Sequence, residues 1–167
     1  MSSKWGPVAA GIMTLILSGC RGKDTDKAVY SDFAEIASDG WAPENVISFE
    51  PMPRDSDFSQ ANRYDLEVVW RVSQRHNVRK FPAVVIIEDE SGIISKDTLE
   101  IDMTGNNDSD ARLRSQLGVS ELTMKVDSGF TLKDGYALTL YPLAEKEATK
   151  GLLNVGVRLI RTSNPEK

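Results

Sequence analysis

Few side chains in this sequence have the chemistry for catalysis or metal binding. His76 is the only histidine. It lies in Gln74-Arg75-His76-Asn77-Val78-Arg79-Lys80, between two strand candidates. General-base or zinc chemistry would need partner side chains at a matching spacing, and none stands nearby. A solvated hairpin loop is the plainer reading. Arg71, Arg75, Arg79 and Lys80 together form a basic patch suited to an acidic partner, or to a solvated loop end. Asp97, Glu100 and Asp102 cluster, followed by Asn106, Asn107, Asp108 and Asp110. Paired carboxylates can transfer protons or bind calcium. This order lacks the alternating Asp/Asn, central Gly and distal Glu of a calcium loop. Glu100 and Asp102 are instead expected on the wet face of a strand. The sequence has no Gly-x-Ser-x-Gly elbow, phosphate-binding loop or dinucleotide fingerprint. The expectation is a non-catalytic protein with no metal or cofactor. Trp41 and Trp70 either nucleate a core, as large rings usually do, or form a sugar-stacking platform.

The one cysteine, Cys20, ends Leu17-Ser18-Gly19-Cys20. Lys4 precedes an apolar run through Val8, Ile12, Met13, Leu15, Ile16 and Leu17. A positive start, an apolar stretch and small residues before a cut site describe a secretory leader. The run is too short for the roughly 20 residues that span a bilayer, and Gly6, Pro7 and Gly11 disfavour a core helix. A cysteine directly after Leu-Ser-Gly resembles the lipobox of bacterial lipoproteins. That resemblance implies removal of residues 1–19 and acylation of Cys20. One acyl chain anchors marginally, at about 0.8 kcal/mol per buried methylene, and two or three anchor permanently. With Cys20 modified, no thiol remains for a disulfide or a thiolate site.

Removing the leader leaves roughly 150 residues, enough for one domain with a sizeable core. At 40% hydrophobic residues the chain should fold. Its charge is −5, and Lys4 is the only charged side chain in the leader, so the rest is more acidic still. Such a chain repels nucleic acid and anionic lipid headgroups. Membrane attachment is therefore expected through acyl chains on Cys20, and nucleic acid is not expected as a partner.

The elements that would position these residues read as strands. Residues 20–28 are polar and aperiodic, a flexible tether ahead of a single domain at 29–162. A short strand is expected at 46–49, then a loop around Pro51 and Pro53. Residues 64–73 are the clearest strand: Tyr64, Leu66, Val68, Trp70 and Val72 share one face, and Asp65, Glu67, Arg71 and Ser73 the other, with Val69 the exception. The β-branched run 84–87 suits a strand buried on both sides. Leu99, Ile101 and Met103 alternate with acids, and Leu122, Met124 and Val126 alternate with polar residues. Asp134-Gly135 signals a hairpin joining 130–132 to 136–141. Val155, Val157 and Leu159 supply a last strand. Helical periodicity is weak; 110–117 and 143–148 could hold a turn or two. Seven or eight short strands with turn signals between them predict an all-β fold, an antiparallel β-sandwich.

The order of these pieces carries a further resemblance. After the lipobox come Val29-Tyr30, Gly40-Trp41, 46–49, Tyr64-Asp65-Leu66 with Arg71, and Lys96-Asp97-Thr98-Leu99-Glu100. Gly129-Phe130 and Gly135-Tyr136 follow, then Gly151-Leu152-Leu153-Asn154-Val155-Gly156-Val157-Arg158-Leu159. In this the chain resembles the GldH family of gliding-motility-associated lipoproteins across most of residues 29–160. The resemblance implies an accessory or binding component of an envelope machine, with no catalytic residues and an envelope protein as partner. Where that family tends to a glycine-rich stretch with an aromatic residue, residues 104–118 here are polar. A surface lipoprotein binding a glycan or another ligand is the alternative. Arg21 after Cys20 places no acidic retention residue there, so outer-membrane residence is expected. Arg75, Arg79 and Lys80 are the expected partner contacts.

Overall fold

The computed structural model describes residues 28–49, 62–106, 111–133, 135–143 and 147–162. Expectations for the leader, for Cys20, for the segment 20–27 and for the loop at Pro51 and Pro53 lie outside them. Among the described residues nine strands form and no helix: β1 (Ala28–Glu35), β2 (Ile47–Phe49), β3 (Tyr64–Ser73), β4 (Lys80–Asp89), β5 (Gly92–Asp102), β6 (Arg112–Gln116), β7 (Val119–Phe130), β8 (Ala137–Pro142) and β9 (Leu152–Arg161). They build two antiparallel sheets, one of five strands in the order β1-β9-β3-β7-β6 and one of four in the order β2-β8-β4-β5. The architecture is the antiparallel β-sandwich that the alternation predicts.

The strand with the clearest alternation became the centre. β3 pairs with β7 on one side and β9 on the other. Its Tyr64, Leu66, Val68, Trp70 and Val72 are all buried and meet Phe81, Ala83, Val85 and Ile87 of β4 in one core. Each valine, leucine, isoleucine or phenylalanine among them contributes about 1.5–3 kcal/mol when fully buried. Aromatic rings close both ends. Trp70 lies 5.6 Å from Trp41 and 5.4 Å, edge-on, from Phe81. At the other end Phe130 stacks on Tyr136 at 4.9 Å and sits 6.3 Å from Tyr64. Trp41 is not in a long strand. It is pinned by a bridge to Thr149 and by its indole N–H donating to the Asn45 carbonyl at 2.7 Å. Gly40 permits this closure: its φ is +116°, and a Cβ there would come within 2.9 Å of the Thr149 carbonyl oxygen.

Several expectations need correction. Asp134-Gly135 does not turn a hairpin: β7 pairs with β3 and β6, while β8 pairs with β2 and β4, so the connection crosses between sheets. Residues 130–132 are therefore the end of β7 and its exit. The stretch 110–117 holds β6, not a helical turn, so the polar segment 104–118 is in part an edge strand. No helix occurs in the described part of 143–148. Residues 84–87 are covered on one side only: Val85 and Ile87 are buried, and Val84 and Ile86 face outward half-buried. Asp102 is not on a wet face but is buried. β1 starts at Ala28, one residue inside the expected tether.

Candidate functional site

The sandwich has two distinct ends, separated along the ten residues of β3 by about 30 Å. At the Tyr64 end, Ala28 faces Ile160, Asp65 faces Ile160 and Tyr64 faces Phe130, so the chain enters β1 here. At the Ser73 end, β3 passes to β4 through residues 74–79, the predicted basic loop.

That loop is held by its backbone. The Ser73 N–H donates to the Gly151 carbonyl at 2.8 Å, and Gln74 N–H to the Gly118 carbonyl at 2.9 Å. Within the loop, His76 N–H donates to Ser73 and Val78 N–H to His76, at 3.1 and 2.8 Å. His76 is exposed, with its Cβ packed over Gly151. No ion pair involves Arg75 or Arg79 among the described residues, and both are exposed.

The four predicted cations do not act as one patch. Lys80 is answered by carboxylates, its Nζ lying 3.0 Å from Glu100 and 3.1 Å from Asp102. The hydrogen bond to Glu100 and then that to Asp102 push its pKa up. Asp102 in turn accepts from the Thr104 N–H at 2.8 Å and hydroxyl at 2.6 Å. Those two donors, the hydroxyl first, hold its carboxyl below the usual carboxylate range, and Lys80 adds to this. Lys80 is thereby tied to the β4–β5 pair. Arg71 lies on the outer face of the five-stranded sheet. Its Nε donates to Glu121 at 2.8 Å, and its guanidinium lies 4.2 Å from the centre of the Phe33 ring. Arg75 and Arg79 are thus the exposed cations left in the loop, while Arg71 and Lys80 serve the fold.

One neighbour was not anticipated. Leu117 is 95% exposed with φ +50°, at the two-residue β6–β7 turn it shares with Gly118. Gly118 accepts from Gln74, so this leucine stands beside the basic loop. The sequence signal was Leu117-Gly118 between strands, the X-Gly form of a tight hairpin turn. It was obscured because β6 was not recognised as a strand.

The outer face of the five-stranded sheet is charged but internally balanced. Arg71 and Arg158 both reach Glu121, and Arg112 reaches the buried Glu67. A shallow cavity of about 250 Å³ lies by Arg114, Gln116, Val119 and Glu121. A second, of about 460 Å³, lies between Glu35 and Ile47 and is lined by Trp41 and Glu44. Neither cavity's lining contains a histidine, serine or cysteine nucleophile. Asp97 and Glu100 are exposed on β5 and Asn106 donates to Thr104; Asn107, Asp108 and Asp110 lie outside the described residues. Among the described residues no three of His, Cys, Asp and Glu come together as a metal would require. Trp41 and Trp70 are 1% and 0% exposed, so neither ring can stack on a sugar at the surface.

No protein-family model, curated protein or solved structure matches the chain.

Proposed function

We propose that this protein is a lipid-anchored component of a bacterial cell envelope, related in role to the GldH lipoproteins, that binds an acidic protein partner through Arg75 and Arg79. The observation that carries this reading is the opposition of the two ends. The chain enters the domain at the Tyr64 end, and the basic loop stands at the Ser73 end. An anchor on Cys20 would then leave Arg75, Arg79 and Leu117 directed away from the membrane. A backbone-braced loop on a rigid sandwich is a common way to present a contact surface. Two exposed cations with no ion pair among the described residues, beside an exposed leucine, suit a partner that offers carboxylates around an apolar spot. Charge complementarity sets encounter rate and specificity in such contacts. The role is binding, with no catalytic step.

Arg75→Glu with Arg79→Glu tests it. Both side chains are exposed, so the domain should melt as the wild type does. Partner recovery from crosslinked envelopes should fall. Unchanged recovery would remove the loop as the contact. Outer-membrane residence belongs to the same proposal, and recovery in the inner-membrane fraction would contradict it.

A further inference from the structure

Two adjacent isoleucines, Ile93 and Ile94, are 63% and 50% exposed just beyond the β4–β5 turn. Their place in the fold gives this exposure a meaning. Lys133 pairs with Asp89 at 3.3 Å, and Gly135 packs against Glu90. Both follow closely on Phe130, whose backbone partner is Tyr64. The turn therefore sits at the Tyr64 end, where the chain enters β1. Residues 92–98 are exposed throughout, including Ser95 and Asp97, which pair with the buried Ile87 and Val85. β5 is the edge strand of its sheet, and its first half is open on both faces while its partner β4 stays in the core at Val85 and Ile87. Val29, 38% exposed at the start of β1, is at the same end.

We infer that Ile93 and Ile94 are a lipid contact: the hairpin tip dips into the membrane interface to which Cys20 is anchored. This rests on the lipoprotein reading above. Geometry makes it accessible. The eight steps from Cys20 to Ala28 span at most about 28 Å. The five-stranded sheet that β1 enters is only about 19 Å across, the four-stranded sheet that carries the tip about 14 Å, and stacked sheets lie about 10 Å apart. The attachment therefore lets the whole Tyr64 end lie flat on a bilayer. At the interface the two isoleucines leave water, and burial of apolar area supplies the attraction. Charge does not help: Glu88, Asp89, Glu90 and Asp97 outnumber the two cations by the tip, exposed Lys96 and Lys133, which pairs with Asp89. The contact accordingly favours zwitterionic over anionic lipid and is insensitive to salt. A second membrane contact orients the domain and keeps Arg75 and Arg79 pointing away.

The test uses the full chain produced in its lipidated form, with Ile94→Cys or, as a second probe, Ile93→Cys carrying an environment-sensitive nitrobenzoxadiazole. Leu117→Cys is the control at the far end. Acylation occupies the Cys20 thiol, so only the new cysteine is labelled. The protein is placed in vesicles of phosphatidylethanolamine and phosphatidylcholine containing brominated acyl chains. The Ile94 and Ile93 probes should shift to the blue and lose most of their emission to the bromines, in low and high salt alike. The Leu117 probe should do neither. Acylated protein whose tip probes behave like Leu117 overturns this inference and leaves the lipoprotein reading intact. Protein with no acyl mass on Cys20 overturns both. A blue shift that grows with protein concentration and is not quenched by bromine overturns it in favour of a second copy of the chain.

Discussion

The Phe33 ring lies against Gly156, filling the space where a Cβ on that residue would stand. The two face each other across β1 and β9, and the same ring carries the Arg71 guanidinium at 4.2 Å. Gly156 is thus a seat, and the ring it seats holds an arginine that reaches Glu121.

Gly156→Ala should displace Phe33 and cost about 1–3 kcal/mol, the usual range for overpacking a tight contact. Urea denaturation measures it. Combining the change with Phe33→Ala should restore part of the loss, because the smaller side chain clears the clash. Neighbouring residues that share a contact are expected to be non-additive. Simple additivity would show that the ring is not held there in solution.

Trp70→Ala should cost about 3–5 kcal/mol, from a domain expected to have about 5–15 kcal/mol in all. Trp70 is completely buried between Trp41 and Phe81. Trp41→Ala should be comparably damaging, although Trp41 lies in a connection, since its ring covers the same core. A melting temperature that hardly moved for either variant would place that ring at the surface.

The strand that carries Trp70 was legible because a central strand must bury one face, and period-two alternation records that. The edge strands β1 and β6 carry no such record, although the edge strand β5 alternates at Leu99 and Ile101. β1 reads Ala-Val-Tyr-Ser-Asp-Phe-Ala-Glu and β6 Arg-Leu-Arg-Ser-Gln. They form because β9 and β7 offer open ladders, and polar residues on an edge guard against pairing with other chains. Asp134-Gly135 has the composition of a tight turn, but a local turn signal cannot tell a hairpin from a crossing between sheets, and Asp134 lies outside the described residues. The run at 84–87 shows the same limit: β-branched residues suit any strand, and only the opposing layer decides which of them are covered. At the candidate site, the arginines of the 74–79 loop were recognisable as a group. The removal of Lys80 and Arg71 from that group was not. It depends on register, which sets Lys80 opposite Asp102 and Arg71 opposite Glu121.

Acid should unfold the domain partly through Asp102 and Asp89. The carboxyl of Asp102 is held below its ordinary range chiefly by the Thr104 hydroxyl, and that of Asp89 chiefly by the Ser91 hydroxyl. For a carboxylate whose folded pKa is depressed, the stabilisation is complete above the unfolded value, about 3.9. It is lost as pH falls through the folded value. Thr104→Val removes the leading donor to Asp102 and raises its folded pKa. Stability should then begin to fall at a higher pH than in the wild type. Asp102→Asn should be less stable at neutral pH and show a flatter acid limb. Urea midpoints measured from pH 6 down to about 2 decide it; superimposable profiles would mean that Asp102 does not hold its charge through these bonds.

Cys20→Ala separates anchoring from folding. Ala28 is the first residue of β1, and it is paired with Ile160. Cys20 stands eight positions earlier in the sequence, and the core of the described residues runs from Trp41 to Leu159. If Cys20 carries the acyl chains, the variant should leave the membrane fraction and appear as soluble protein. Its thermal melt should match that of the lipidated protein in detergent. Mass spectrometry of the wild type should find residue 20 as an acylated amino terminus with residues 1–19 removed. Wild-type protein that keeps Met1 and a free thiol would end the lipoprotein reading. So would a Cys20→Ala variant that had lost residues 1–19 and still stayed with the membrane. The anchoring would then have to come from the folded domain itself, an acidic sandwich whose exposed apolar side chains at the Tyr64 end are few.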